Sequence, residues 1–129
     1  MSQGLADTSV FIARELGRPI NLAALPDDLS VSMITIGELR AGALVASDVD
    51  MRERRFATLL AALSLDPVPI DHEVAQAWAR LRVRLRDAGK RMPVNDSWIA
   101  ATAIALGLPV VSQDADYDVS VEGLEVIHV

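Results

Sequence analysis

Asn95-Asp96-Ser97-Trp98-Ile99-Ala100-Ala101-Thr102-Ala103-Ile104-Ala105-Leu106-Gly107-Leu108-Pro109-Val110-Val111-Ser112-Gln113-Asp114 is the stretch that decides the fold class. Its Ala-rich first half contains no helix breaker and predicts a compact helix from Ser97 to Leu106, stopped by Gly107. Pro109-Val110-Val111-Ser112 is a short apolar run bounded by turn residues and reads as a buried strand. An acid follows within two residues. A helix that turns straight into a buried strand is half of a βαβ unit, and such units build parallel sheets.

Outward from this segment the alternation repeats. Short strands are predicted at Gly4-Leu5-Ala6, from Leu29 to Ile34, at Val68-Pro69-Ile70 and from Glu125 to Val129. The prolines around Val68 point to an edge or an early end. Helices are predicted from Val10 to Leu16, Thr35 to Ala46, Asp50 to Leu65 and Asp71 to Ala88. Phe56, Leu59, Leu60 and Leu63 fall at i, i+3, i+4 and i+7, and Val74, Trp78, Leu81 and Leu85 form one apolar stripe. Leu59, Leu60, Leu63 and Met51 read first as core and second as a docking face. The pattern is that of an α/β protein, a single domain over residues 1–129, with helices on both faces of a parallel sheet.

Composition agrees. A chain of 129 residues that is 51% hydrophobic can bury a core without disulfides, and it has no cysteine. Met1-Ser2-Gln3-Gly4 lacks the basic-then-apolar order of a signal peptide, and no run of 18 apolar residues exists, so a cytoplasmic protein with no membrane span is expected. The net charge of −6 argues against simple nucleic-acid binding by surface charge. Two observations temper that. Two bound Mg²⁺ ions would leave −2, and six of the twelve basic residues lie between positions 80 and 91. That run is either a solvated helix face or a strip for phosphates, with Arg84, Lys90 and Arg91 as candidate RNA contacts.

Four acids stand where strand-like runs give way to helices or loops: Asp7, Glu38, Asp96 and Asp114, at intervals of 31, 58 and 18 residues, with Asp116 beside the last. Taken singly, each has a plain explanation. Asp7 can cap the helix near Val10. Glu38 completes a capping box with Thr35, Asp96 stands at an N-cap position, and Asp114, Asp116 and Asp118 can form a polar turn. Taken together, they lie at the carboxyl ends of strands of an open sheet, where sites form. A cluster of carboxylates there calls for hard divalent cations such as Mg²⁺ or Mn²⁺.

Four segments carry a family resemblance: Asp7-Thr8-Ser9, Thr35-Ile36-Gly37-Glu38-Leu39-Arg40-Ala41-Gly42, Asn95 to Ala103, and Val110-Val111-Ser112-Gln113-Asp114-Ala115-Asp116-Tyr117. Gly123-Leu124-Glu125-Val126 is similar to a closing strand. In this order and at these intervals the chain resembles the PIN-domain ribonucleases of the VapC toxin type. The resemblance implies a three-layer α/β/α domain with a parallel sheet of about five strands, often a homodimer. It implies RNA cleavage dependent on Mg²⁺ or Mn²⁺, with Asp7, Glu38, Asp96 and Asp114 as the catalytic acids. Metal contact would come from Asp7, Asp96, Asp114 and Asp116, with Thr8, Asn95 and Ser112 supporting them from behind. It also implies a VapB-like antitoxin as partner, whose Arg would pair with the carboxylates.

Metal-assisted attack by water would leave 5′-phosphate and 3′-hydroxyl ends. A receiver-type signalling domain would carry a pair of acids after the first strand and a Lys after the last buried strand, and neither is present. A haloacid-dehalogenase-type phosphatase would carry an Asp at the place of Ser9. A PIN fold kept only for binding RNA or protein is the remaining alternative. His72 and His128 are isolated and make poor ligands, and Trp78 and Trp98 read as core before base-stacking platforms.

Overall fold

Leu5 and Val110 face one side of the sheet while their neighbours Ala6 and Val111 face the other, the two-residue alternation that gives a strand two buried faces. A computed structural model describes residues 1–129. Its strands are β1 (Gln3–Ala6), β2 (Asp28–Val31), β3 (Val110–Ser112) and β4 (Val126–His128). All pair in parallel, in the order β2-β1-β3-β4, with Leu5 opposite Ser30 on one side and Val110 on the other. Helices α1 (Thr8–Glu15), α2 (Met33–Leu44), α3 (Val49–Leu63), α4 (His72–Asp87) and α5 (Val94–Leu106) flank the sheet. The α4 and α5 residues Leu81, Leu85, Ile99 and Ala103 bury against Leu5 and Val110. On the opposite face Val10 of α1 packs on Ala6 and Val111. No helix is long and apolar enough to cross a membrane.

The sheet has four strands, one fewer than the resemblance implies. Val68 makes a single parallel bridge to Ser32 beside β2, and its N–H reaches the Val31 carbonyl at 2.8 Å. Pro67 and Pro69 flank it without an N–H to give, so the pairing cannot extend. The second strand also ends at Val31 rather than Ile34. Ser32 accepts a hydrogen bond from the Ile34 N–H at 3.1 Å and caps α2 there. That start displaces the expected capping box: Thr35 lies buried inside the first turn, and Glu38 makes no bond to a cap amide. Asp96 is likewise no N-cap, because Pro93 holds that position and Asp96 sits inside the first turn of α5. Asp7 does cap α1, accepting from the Ser9 N–H at 3.3 Å.

Strand order places the site. The chain leaves β1 toward β2 on one side and later reaches β3 on the other, so the order of connection switches sides between β1 and β3. Ligand crevices form at that switch, beyond the carboxyl ends of the strands. Asp7 follows β1 directly, and Asp114 lies two residues past β3. Gly4 lets these two strands approach. A Cβ at this position would stand 2.6 Å from Val111 Cγ2 and 3.0 Å from Pro26 Cγ. Gly4→Ala is therefore expected to destabilise the fold by about 1–3 kcal/mol through overpacking, read as a lower denaturation midpoint. An unchanged midpoint would show that the neighbours give way freely.

Candidate active site

Asp7, Glu38, Asp96, Asp114 and Asp116 line one cleft, together with Thr8 and Arg18. Asp7 comes from the end of β1, Glu38 from the second turn of α2, Asp96 from the first turn of α5, and Asp114 and Asp116 from the segment after β3. All five acids named from the sequence thus meet in space. Asp7 is 2% exposed, Glu38 and Asp96 are half-buried, and Asp114 and Asp116 stand at the open side.

Hydroxyl groups fix the inner acids. The Thr8 hydroxyl donates to Glu38 Oε1 at 2.7 Å, and Thr35 Oγ1 lies 2.9 Å from Thr8 Oγ1. With its own proton given to Glu38, Thr8 accepts that of Thr35. The Asn95 amide donates to Glu38 Oε2 at 3.4 Å. The Ser112 hydroxyl donates to Asp7 Oδ2 at 3.1 Å and accepts from the Asp114 N–H at 2.9 Å, which ties the two acids together. Thr8, Asn95 and Ser112 therefore all touch an acid of the cleft.

Three contributors escaped the sequence reading. The Tyr117 hydroxyl donates to Asp7 Oδ1 at 2.6 Å from a fully buried ring. Ser9 Oγ accepts from the Gln113 N–H at 3.0 Å and lies 3.3 Å from Ser112 Oγ. Arg18 is the single basic side chain lining the cleft. Only Ser9, in the Asp-Thr-Ser run, had a local signal. Tyr117 and Arg18 lie far from Asp7 in the chain or beyond the helix that follows it.

Electrostatics register the crowding. Burial, then the Asp7 charge, then Asp116 and Glu38 push the Asp96 carboxyl up from its ordinary 3.8 to about 7. Burial, Asp7 and Asp116 also raise Asp114, while Arg18 opposes the rise. Burial and Asp7 raise the Tyr117 phenol, so it remains a proton donor. A group of carboxylates pushed toward protonation, all with hard oxygen donors, fits a divalent cation. No three of these side chains close on a common point as they stand. Uncompensated carboxylates repel one another, so closing the set would require the cation itself.

The basic strip divides. Arg84 donates one of its N–H groups to the Glu122 carbonyl at 3.1 Å. Lys90 and Arg91 remain exposed and share a groove with Arg82, Arg86, Met92 and Val94. That groove runs to Val94 at the start of α5, two residues before Asp96. Trp78 and Trp98 stack on each other with ring centroids 4.3 Å apart, partly buried against Val74 and Ala101. The Trp78 indole N–H donates to Ser97 Oγ at 3.0 Å. Of the candidate docking leucines, Leu59 is core while Leu60 points outward.

The PIN domain family matches residues 5–120. Ribonuclease VapC5 of Mycobacterium tuberculosis is 45% identical over 114 residues, 88% of this chain and 84% of that one. Ribonuclease VapC4 of the same organism is 47% identical over 117 residues, 89% of this chain and 88% of that one. A chain in the crystal structure of VapBC-5 from M. tuberculosis, a member of the VapBC family of toxin–antitoxin systems, superposes with a TM-score of 0.91. It is 39% identical, with 100% of both chains covered.

Proposed function

The chain belongs to the PIN-domain family, among the VapC ribonucleases, and from that membership and its acidic cleft we propose that it is a metal-dependent endoribonuclease, the toxin of a toxin–antitoxin pair. The observation that carries the reading is the meeting of Asp7, Glu38, Asp96, Asp114 and Asp116 in one cleft at the strand ends. Asp7, Asp96, Asp114 and Asp116 would hold Mg²⁺ or Mn²⁺. Such an ion, when bound, lowers the pKa of a water and offsets charge on a phosphate.

The chain's own residues supply the rest. Thr8 and Asn95 keep Glu38 facing the cleft, and Ser112 couples Asp7 to Asp114. Arg18 places one fixed positive charge among the acids, where a phosphodiester would otherwise be repelled. Lys90 and Arg91, with Arg82 and Arg86, offer contacts to the RNA backbone beyond the cleft. No side chain in the cleft needs to act as a covalent nucleophile. A VapB-like antitoxin would silence the enzyme by presenting a cation to the same carboxylates.

Incubating the purified protein with a pool of structured RNAs tests this. Cleavage with Mg²⁺ or Mn²⁺ is expected, with loss on EDTA and recovery when the metal is returned. The products should carry 5′-phosphate and 3′-hydroxyl ends, and 2′,3′-cyclic phosphates would overturn the water-attack chemistry. A folded protein that binds RNA without cutting any member of the pool would favour a PIN fold kept for binding.

A further inference from the structure

We propose that Tyr117 is a positioning residue of the acidic centre: with Ser112 and the Ser9 N–H closing Oδ2, its hydroxyl on Oδ1 fixes the turn of the Asp7 carboxylate, so that Asp7 is held as a one-oxygen ligand. This rests on the metal-dependent reading given above. It concerns a residue that lies in a segment carrying the family resemblance but to which the resemblance gives no role.

The geometry argues it by counting lone pairs. An ionised carboxylate offers about four acceptor positions, two on each oxygen. Asp7 Oδ2 receives the Ser112 hydroxyl at 3.1 Å and the Ser9 N–H at 3.3 Å. Both of its positions are filled. Oδ1 receives the Tyr117 hydroxyl at 2.6 Å. One position on Oδ1 remains. The Asp7 side chain is 2% exposed, so water does not compete freely for it.

The ring alone does not explain the residue. Tyr117 packs among Leu5, Ile99, Val110 and Val119, a site that Phe would fill as well. Burying a hydroxyl there costs free energy unless it finds a partner, and its partner is the most buried acid of the cleft. The anchor is itself rigid, because the 3₁₀ turn Ala115–Tyr117 carries the ring directly from the Asp114 segment into the core. Carboxylates that ligate metals are held by hydrogen bonds of this kind.

The coordination has a consequence for ion choice. Mg²⁺ demands near-ideal octahedral geometry, which two oxygens of one carboxylate cannot span, whereas Ca²⁺ accepts carboxylates by one oxygen or two. Holding Asp7 to one oxygen therefore favours the smaller ions. Removing the Tyr117 hydroxyl leaves Oδ2 bonded but releases Oδ1, so the carboxylate can turn and bring Oδ2 toward the ion. Ser112→Ala reaches the same end by opening a position on Oδ2 itself, without altering the aromatic core.

The test is calorimetric titration of wild type, Tyr117→Phe and Ser112→Ala with Mn²⁺ and with Ca²⁺, beside thermal melts in EDTA. Tyr117→Phe should lose Mn²⁺ affinity by about tenfold or more. Its Ca²⁺ affinity should fall less, so the Mn²⁺/Ca²⁺ preference narrows. Ser112→Ala should narrow it in the same direction, which covers the case of a Tyr117→Phe protein that does not fold. Wild-type Mn²⁺ affinity and preference in a folded Tyr117→Phe protein would overturn the inference and leave the nuclease reading standing. Equal loss of both ions would also overturn it, since a merely structural defect does not discriminate between them. Wild-type protein that binds no Mn²⁺ would remove the metal-dependent reading, and this inference with it.

Discussion

Asp96→Asn is expected to cut RNA cleavage by about a thousandfold while making the metal-free protein more stable at pH 7–8. The loss follows from charge. Asn keeps the shape of the side chain but cannot supply an anionic ligand, and on the proposed reading several kcal/mol of transition-state stabilisation would depend on the cation that the acids would hold. The gain in stability follows from linkage. In the folded protein the Asp96 carboxyl titrates at about 7 instead of 3.8, because it is half-buried beside Asp7, Asp116 and Glu38. The folded state therefore binds this proton more tightly than the unfolded chain. Its stabilising contribution is complete below pH 3.8 and is lost as pH rises through 7. After discounting for solvent screening at a half-exposed group, the cost at pH 8 is about 1–2 kcal/mol. Asn carries no such cost. Denaturant melts in EDTA should show the variant above wild type at pH 7.5 and the two converging near pH 4. Curves that stay parallel across pH would refute the linkage, and full cleavage by the variant would refute the ligand role.

The same crowding explains what the sequence could and could not reveal. Asp7 and Asp114 were legible because each follows a strand where the order of connection switches sides, a place fixed by strand order. The helices were legible because their apolar spacing is regular, and α3 and α4 begin where Asp48 and Asp71 accept from backbone amides. The start of α2 was not. Ser32 and Thr35 are both good caps, and the Thr35 hydroxyl is engaged by a tertiary contact instead, 2.9 Å from that of Thr8. Glu38 thus lines the cleft but lacks the local bond the sequence suggested for it. The Val68 strand failed for a plainer reason, the missing N–H donors at Pro67 and Pro69 on either side of it. Tyr117 closes one of the segments that carry the resemblance, but nothing there gave it a role. Its partner Asp7 lies 110 residues away, and nothing in the local pattern separates a phenol that meets an acid from one that meets water.

Leu5→Ala tests the other half of the design, the separation of fold from site. Leu5 is 0% exposed, lies in the central strand between β2 and β3, and packs with Leu81, Ile99, Val110 and Tyr117. Truncating it removes buried methylenes and leaves a cavity that the sheet, bonded on both sides, cannot close. The expected cost is about 3–5 kcal/mol, toward the upper part of the range for buried leucines. Against a typical domain stability of about 5–15 kcal/mol, that lowers the melting midpoint by roughly 10 °C or more. The acidic site should nonetheless survive in the molecules that remain folded. Asp7, two residues away, is held by Ser9, Ser112 and Tyr117 rather than by the Leu5 side chain. Cleavage per folded molecule, measured well below the lowered midpoint, should therefore stay within about threefold of wild type, whereas Asp96→Asn loses cleavage without losing stability. If Leu5→Ala instead abolished cleavage at a temperature where circular dichroism shows it fully folded, Asp7 would be positioned by the core, and the hydroxyl contacts around it would be secondary.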